Sequence, residues 1–313
     1  MIIFHLILGF SFLYIGASLA LKGAVKLALN LRVSKLLIGL TIVAFGTSLP
    51  EGCVSIVAAF QGNAHLALGN IMGSNIANIG LALGAAALVA PLNTGNSFSS
   101  NELRFVAFSG VILFFMMINA HLSRIEGIVL LALFGVFVYL LFHDEQSRKS
   151  AEEEVGKDNK PALHRIKYLI YVVIGIVLLV GGAHYFVKGA IGCAHYFNVP
   201  EWIIGITLVA VGTSIPELAT SIVAARKGEA TLIVGNILGS NTMNFYLILA
   251  LAVIIKPITV EDPYFIWQLC FFVFFSILPV PMLLFGKNIS RFKGFLMLSA
   301  YCLYIVWVKN VLM

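Results

Sequence analysis

Long apolar runs, separated by short polar breaks, fill most of the chain. A helix needs about 20 mostly apolar residues to cross the hydrocarbon core. Ten runs approach that length, near 2–21, 36–60, 66–90, 103–119, 125–142, 166–187, 202–225, 230–255, 264–285 and 294–312. The pattern predicts an all-α integral membrane protein of ten transmembrane helices. One break is long and hydrophilic, residues 143–165, with HDEQSRKS and AEEEVGKDNK. It reads as a solvated cytoplasmic linker between two five-helix halves. It divides the chain into an N-terminal five-helix unit, 1–142, and a C-terminal one, 166–313.

Composition agrees and narrows the class. Hydrophobic residues make up 60% and charged residues 11%, with a mean hydropathy of +0.99. Soluble domains carry about 45–50% and ~25%, so a soluble fold is excluded. The net charge of +6 is then a matter of topology and not of nucleic acid. With ten spans, one side receives only Arg124, Lys188, Lys256 and Lys309, and the other receives the remaining 16 of the 20 basic residues. The positive-inside rule places both termini outside the cell, in a plasma or inner membrane. The four cysteines lie in or beside apolar runs, show no metal spacing, and read as inert apolar core residues.

The two units are copies. Gly39–Gly84 aligns with Gly205–Ala250 at a constant offset of 166, with 26 identities in 46 positions and no gap. GLTIVAFGTSLPE (39–51) meets GITLVAVGTSIPE (205–217), and GNIMGSNIAN (69–78) meets GNILGSNTMN (235–244). The offset covers five helices, an odd number, so the second copy enters the membrane from the opposite face. Such inverted-topology repeats are shared by many secondary transporters, whose ion sites lie where the repeats meet.

The copies keep polar residues where lipid forbids them. Pro50 and Pro216 each remove a backbone donor. Carbonyls near Ala44–Gly46 and Ala210–Gly212 are therefore expected to face inward. Glu51 and Glu217 follow at once, each costing at least ~2.5 kcal/mol to insert. None of the matched segments 39–51, 69–78, 205–217 and 235–244 holds a Lys or Arg to pair with them; a bound cation would pair with both. Asn70, Ser74 and Asn78 form one helical stripe at i, i+4, i+8, matched by Asn236, Ser240 and Asn244. Gly69 with Gly73, and Gly235 with Gly239, are small-xxx-small pairs suited to close helix approach. Every candidate ligand is an oxygen, which suits Na⁺, Ca²⁺ or Mg²⁺. No HExxH, nucleotide loop or nucleophile–base pair appears, so neither an enzyme nor a cofactor is expected.

At these residues the chain resembles the calcium/cation antiporter superfamily. Its paired GTS[LI]PE and GN-x-x-GSN-x-x-N segments are similar to the two alpha repeats of the sodium/calcium exchanger branch, in its compact prokaryotic form. The resemblance implies exchange of Na⁺, usually three, for one Ca²⁺ by alternating access, with no obligate protein partner beyond the bilayer. It implies that Glu51 and Glu217 ligate Ca²⁺ and share Na⁺, with Thr47 and Thr213 adding backbone carbonyls. It gives Ala44 and Ala210 carbonyls, and Ser48, Ser74, Ser214 and Ser240 side chains, to flanking Na⁺ sites. Asn78 and Asn244 complete the centre. Asn244 stands where some potassium-dependent relatives carry Asp. H⁺/Ca²⁺ exchange, K⁺-dependent exchange and a cation channel are the rival expectations.

Overall fold

The computed structural model describes residues 2–31, 33–62, 64–95, 100–152, 162–196, 212–260 and 265–311. Nearly all of them are helical. Helix α1 is Ile2–Leu31. Helix α2 covers Lys35–Thr47 and meets α3, Leu49–Phe60, at a bend of 50°. Helix α4 runs from Ala64–Ala77 through a π-helical stretch, Asn78–Leu83, into Gly84–Val89. Helices α5, Ser100–Met116, and α6, Arg124–Glu152, complete the first half. Helix α7 is Ala162–Tyr196 and α8 is Ile215–Arg226. Helix α9 repeats the form of α4: Ala230–Thr242, a π-helical Met243–Leu249, then Ala250–Ile255. Helices α10, Phe265–Ile277, α11, Pro279–Leu284, and α12, Arg291–Val311, end the chain.

Among the described residues seven helices are long and apolar enough to cross a membrane, and the bent α2–α3 pair makes an eighth, so the protein is multi-pass. Of the other expected runs, α5 is shorter and the one near 202–225 is described only from residue 212.

Burial separates two classes of helix. Within the apolar stretches of Leu66–Val89 and Ala230–Ile255, 83% of residues are buried, against 22% for Ile2–Leu31 and 17% for Arg291–Val308. Helices α4 and α9 are thus the core, wrapped by helices that turn residues such as Phe10, Phe115, Trp267 and Leu303 outward to lipid. A polar side chain on α4 or α9 therefore has only protein to bond with.

Glycines let the shell close on this core. On α1, Gly9, Gly16 and Gly23 recur every seven residues, and on α7 so do Gly175, Gly182 and Gly189, at the same offset of 166. A Cβ on Gly16 would sit 2.8 Å from Gly175 O, one on Gly23 2.7 Å from Tyr168 O, and one on Gly182 2.7 Å from Leu13 N. Gly9 meets Phe186 while Gly23 meets Tyr168, so α1 and α7 run antiparallel, backbone against backbone. Likewise Gly239 brings α9 onto α2, where an added Cβ would lie 2.6 Å from Leu40 O. A Cβ on Gly69 would meet no described residue within 4 Å.

Two short strand pairs tie the halves at their loops. β1 (Leu92–Asn93) pairs antiparallel with β4 (Asn288–Ile289), and β2 (His121–Leu122) with β3 (Ile258–Thr259). Each pair takes one strand from each half.

Two helix boundaries shift, and one expectation needs correction. Residues 143–152 and 162–165 of the expected linker are helical, as the ends of α6 and α7. Glu, Gln, Arg, Lys and Ala are good helix formers, and a formed helix extends without a new nucleus. Residues 153–161 lie outside the described part. Cys53, Cys270 and Cys302 are free thiols but exposed on the outer faces, not in the core. A thiol is apolar enough to tolerate lipid as well as protein.

Candidate cation-binding site

The chain breaks at one serine in each half. Ser48 has φ −84° and ψ 3°, and Ser214 has φ −88° and ψ 5°. Pro50 and Pro216 then occupy the first turn of the helix that follows, where a missing N–H costs nothing. The loss falls on the residue four back, Gly46 or Gly212, whose carbonyl is left without its helical donor. This places Glu51 in the first turn of α3 and Glu217 in the first turn of α8. There the unsatisfied N–H groups and the helix dipole favour negative charge. Both carboxylates are fully buried, at 0% exposure.

Each carboxylate is held from the opposite half. Ser48 Oγ donates to Glu217 Oε1 at 3.4 Å, and Ser214 Oγ donates to Glu51 Oε1 at 3.3 Å. Ser240 Oγ also donates to Glu217 Oε1, at 3.3 Å. The threonines behave alike. Thr47 Oγ1 donates to Asn236 Oδ1 at 3.3 Å and lies 3.5 Å from Ser240 Oγ. Thr213 Oγ1 donates to Asn70 Oδ1 at 3.4 Å and lies 3.2 Å from Ser74 Oγ. Apart from the Ser240–Glu217 bond, each of these pairs maps onto its counterpart by adding or subtracting 166.

Hydrogen bonds thus bring together Thr47, Ser48, Glu217 and Ser240, and, by way of Asn70, a second group of Glu51, Ser214, Thr213 and Ser74. Thr47, Ser48, Glu51, Ser74, Asn78, Ser214, Glu217, Ser240 and Asn244 are all buried, and Thr213 is half-buried. Ala44 is buried too, and its carbonyl accepts the Ser48 N–H at 2.9 Å. Ala210 lies outside the described residues. Asn78 opens the π-helical stretch of α4, and Asn244 lies in that of α9. Such widened turns recur at functional sites because they re-aim a side chain.

Several buried oxygens have no hydrogen-bond partner among the described residues: Glu51 Oε2, Glu217 Oε2, Asn78 Oδ1 and Asn244 Oδ1. An unsatisfied buried polar group costs about 1–3 kcal/mol, and more when charged. Among the described residues the salt bridge is Lys35–Glu229, away from both carboxylates. No group of three His, Cys, Asp or Glu side chains occurs among them either. What remains is a set of carboxylate, amide and hydroxyl oxygens, the ligand chemistry of hard cations. Two carboxylates neutralise one divalent ion or two monovalent ones.

Asn75 and Asn241 lie one residue off the stripe of Ser74 and Ser240. In the structure they form a reciprocal pair: Asn75 Nδ2 donates to Asn241 O, and Asn241 Nδ2 to Asn75 O, both at 3.1 Å. The signal that pointed to them was their presence at equal positions in both copies of GSN-x-x-N.

This arrangement has close parallels. The family described as sodium/calcium exchanger protein matches residues 1–143 and 167–309. The chain belongs to that family. It is 33% identical over 291 residues to the putative antiporter CaxA of Alkalimonas amylolytica, covering 90% of each chain. It is 31% identical to the sodium/calcium exchanger MaX1 of Methanosarcina acetivorans, covering 96% of each. Its fold is similar to that of the sodium-calcium exchanger NCX_Mj soaked with 10 mM Na⁺ and zero Ca²⁺. That match has a TM-score of 0.83 and 31% identity, over 98% of this chain and 99% of that one. Its relatives are transporters, so the resemblance seen in the alpha-repeat motifs holds across the chain.

Proposed function

We propose that this protein is a secondary antiporter that exchanges Na⁺ for Ca²⁺, three for one, by alternating access. The observation that carries the reading is the set of bare buried oxygens on Glu51, Glu217, Asn78 and Asn244, with no basic partner among the described residues. Glu51, Glu217, Asn78 and Asn244 serve Ca²⁺, with the Thr47 and Thr213 carbonyls. Ser48, Ser74, Ser214 and Ser240, with the Ala44 and Ala210 carbonyls, serve flanking Na⁺. Both ions need the same two carboxylates, so they compete, and competition couples their movements. With three Na⁺ against one Ca²⁺, one net charge crosses per cycle, worth ~2.3 kcal/mol per 100 mV.

The architecture in this reading is ten helices in two inverted five-helix repeats, 1–142 and 166–313, with both termini outside and the cell membrane as the location. Three features support it. α1 and α7, related by the offset of 166, run antiparallel. The hydrogen bonds of the site come in pairs related by that offset. The strand pairs join loops that ten spans place on the same side. Relatives named as sodium/calcium exchangers agree with the choice of ions.

The test is ⁴⁵Ca²⁺ uptake into Na⁺-loaded proteoliposomes, with the outside Na⁺-free or Na⁺-matched. Uptake only with the outward Na⁺ gradient supports exchange, and a valinomycin-imposed potential that changes the rate supports net charge movement. Uptake indifferent to Na⁺ overturns the reading. An imposed pH gradient then separates proton exchange from a channel.

A further inference from the structure

We propose that Asn241 is a positioning residue that turns the amide of Asn78 so that its oxygen faces the cargo. The inference rests on the exchange reading above. Asn75 and Asn241 are each 3% exposed and tie α4 to α9 through two bonds of 3.1 Å, amide nitrogen to backbone carbonyl. A backbone carbonyl only accepts. The nitrogen of each amide must therefore face the opposite backbone, which aims each Oδ1 the other way.

On one side that oxygen is used. Asn78 Nδ2 donates to Asn241 Oδ1 at 3.0 Å. The bond occupies the donor end of Asn78 and leaves Asn78 Oδ1, which has no hydrogen-bond partner among the described residues, as the end available to a cation. Without Asn241 the Asn78 amide is free to present its nitrogen, which repels a cation. On the other side the same atoms are present but apart. Asn75 Oδ1 and Asn244 Nδ2 are both buried and both without partners among the described residues. One clasp is closed, over Asn78, and its twin is open, over Asn244. The halves thus differ at a point where their residues are identical. Asn244 keeps the freedom that Asn78 has lost until its own clasp closes.

The test is a double-substitution cycle on the full chain, read by half-saturating ⁴⁵Ca²⁺ in Na⁺-driven uptake and by the melting midpoint. Asn241→Ala is expected to raise half-saturation about tenfold, as for loss of an outer group that orients a metal ligand. In an Asn78→Asp background both ends of the side chain are oxygens, so no orienting donor is needed. There Asn241→Ala should add no penalty. An equal penalty in both backgrounds means that Asn241 only braces the helices, and overturns the proposal. Asn75→Ala removes the bond to Asn241 O but leaves Asn241 Oδ1 in place on Asn78, so it should lower the melting midpoint without raising half-saturation; an equal rise overturns the proposal, and Asn241→Ser replaces Asn241→Ala if that variant fails to fold. If Asn78→Asp abolishes turnover, the cycle is read by equilibrium ⁴⁵Ca²⁺ binding to the purified variants. A wild-type chain that takes up no Ca²⁺ refutes the exchange reading and this inference with it. A wild-type chain that exchanges while the penalties stay equal refutes this inference alone.

Discussion

Ser48 and Glu217 lie 169 positions apart in the chain, yet the Ser48 hydroxyl donates to Glu217 Oε1 at 3.4 Å. Ser214 does the same for Glu51 at 3.3 Å. The serine that marks the break in one half thus holds the charge of the other. Neither half assembles its carboxylate's surroundings alone.

Removing either serine should loosen the opposite glutamate. Hydrogen bonds to charged groups contribute about 1.5–3 kcal/mol, and these two are long, so the lower end applies. Ser48→Ala and Ser214→Ala should each raise half-saturating Ca²⁺ about tenfold, with folding intact. ⁴⁵Ca²⁺ uptake at graded Ca²⁺ checks this. Unchanged half-saturation in both variants would mean that these bonds do not set the carboxylate geometry.

Glu51→Gln and Glu217→Gln keep the shape of the side chain and remove one of two charges. Exchange should be abolished in each. Stability in cation-free buffer should hold or rise, because a buried carboxylate that costs ~2.5 kcal/mol or more to place in the membrane is gone. The wild type should gain about 2.7 kcal/mol at a Ca²⁺ level of 100 Kd, and the Gln variants should not. Melting curves with and without Ca²⁺ measure both effects, and a Gln variant with normal uptake would sink the assignment.

The glycine seam between α1 and α7 should tolerate no side chain. A Cβ added at Gly16 or Gly182 would lie 2.8 Å or 2.7 Å from facing backbone, so Gly16→Val or Gly182→Val must push the helices apart. Overpacking of this kind costs typically ~1–3 kcal/mol. A lower melting midpoint in detergent is the expected result, with Gly69→Ala as the harmless control, since a Cβ there would meet no described residue within 4 Å.

The strand pair Asn93↔Asn288 predicts a cross-link between halves. Directly opposed residues in an antiparallel pair have Cα atoms about 4.5–5.5 Å apart, within reach of a disulfide. Asn93→Cys with Asn288→Cys, in a chain lacking its own cysteines and cut by an inserted protease site within 153–161, should migrate as one band without reductant. Two bands under both conditions would mean that the loops do not pair.

Much of this was legible in the sequence because the repeat doubles every signal. Glu51 and Glu217 are conspicuous as carboxylates in apolar runs, and the shared offset says that they belong together. The serines and threonines beside them come by the same logic. The pairing across halves was not legible, since spacing along one helix says nothing of which residue of another helix it meets. Asn75 and Asn241 escaped a role for that reason. So did Gly9, Gly16 and Gly23, whose seven-residue spacing becomes meaningful only against Gly175, Gly182 and Gly189. The reach of α6 and α7 into residues 143–152 and 162–165 was not legible because polarity marks exposure to water, and an exposed helix is as polar as an exposed coil. The cysteines were misplaced because an apolar position in a membrane protein faces either the core or lipid, and composition does not distinguish them.

The strand pairs also impose an order on the protein's making. β1 at Leu92–Asn93 waits for β4 at Asn288–Ile289, and β2 at His121–Leu122 waits for β3 at Ile258–Thr259. A ribosome adds about 5–20 residues per second, so the first strand stands unpaired for roughly 10–40 s while the rest of the chain is synthesised. During that interval the newborn N-terminal half carries both an exposed strand edge and a buried glutamate whose serine does not yet exist. The cell's insertion machinery must shelter an incomplete molecule until its second copy arrives.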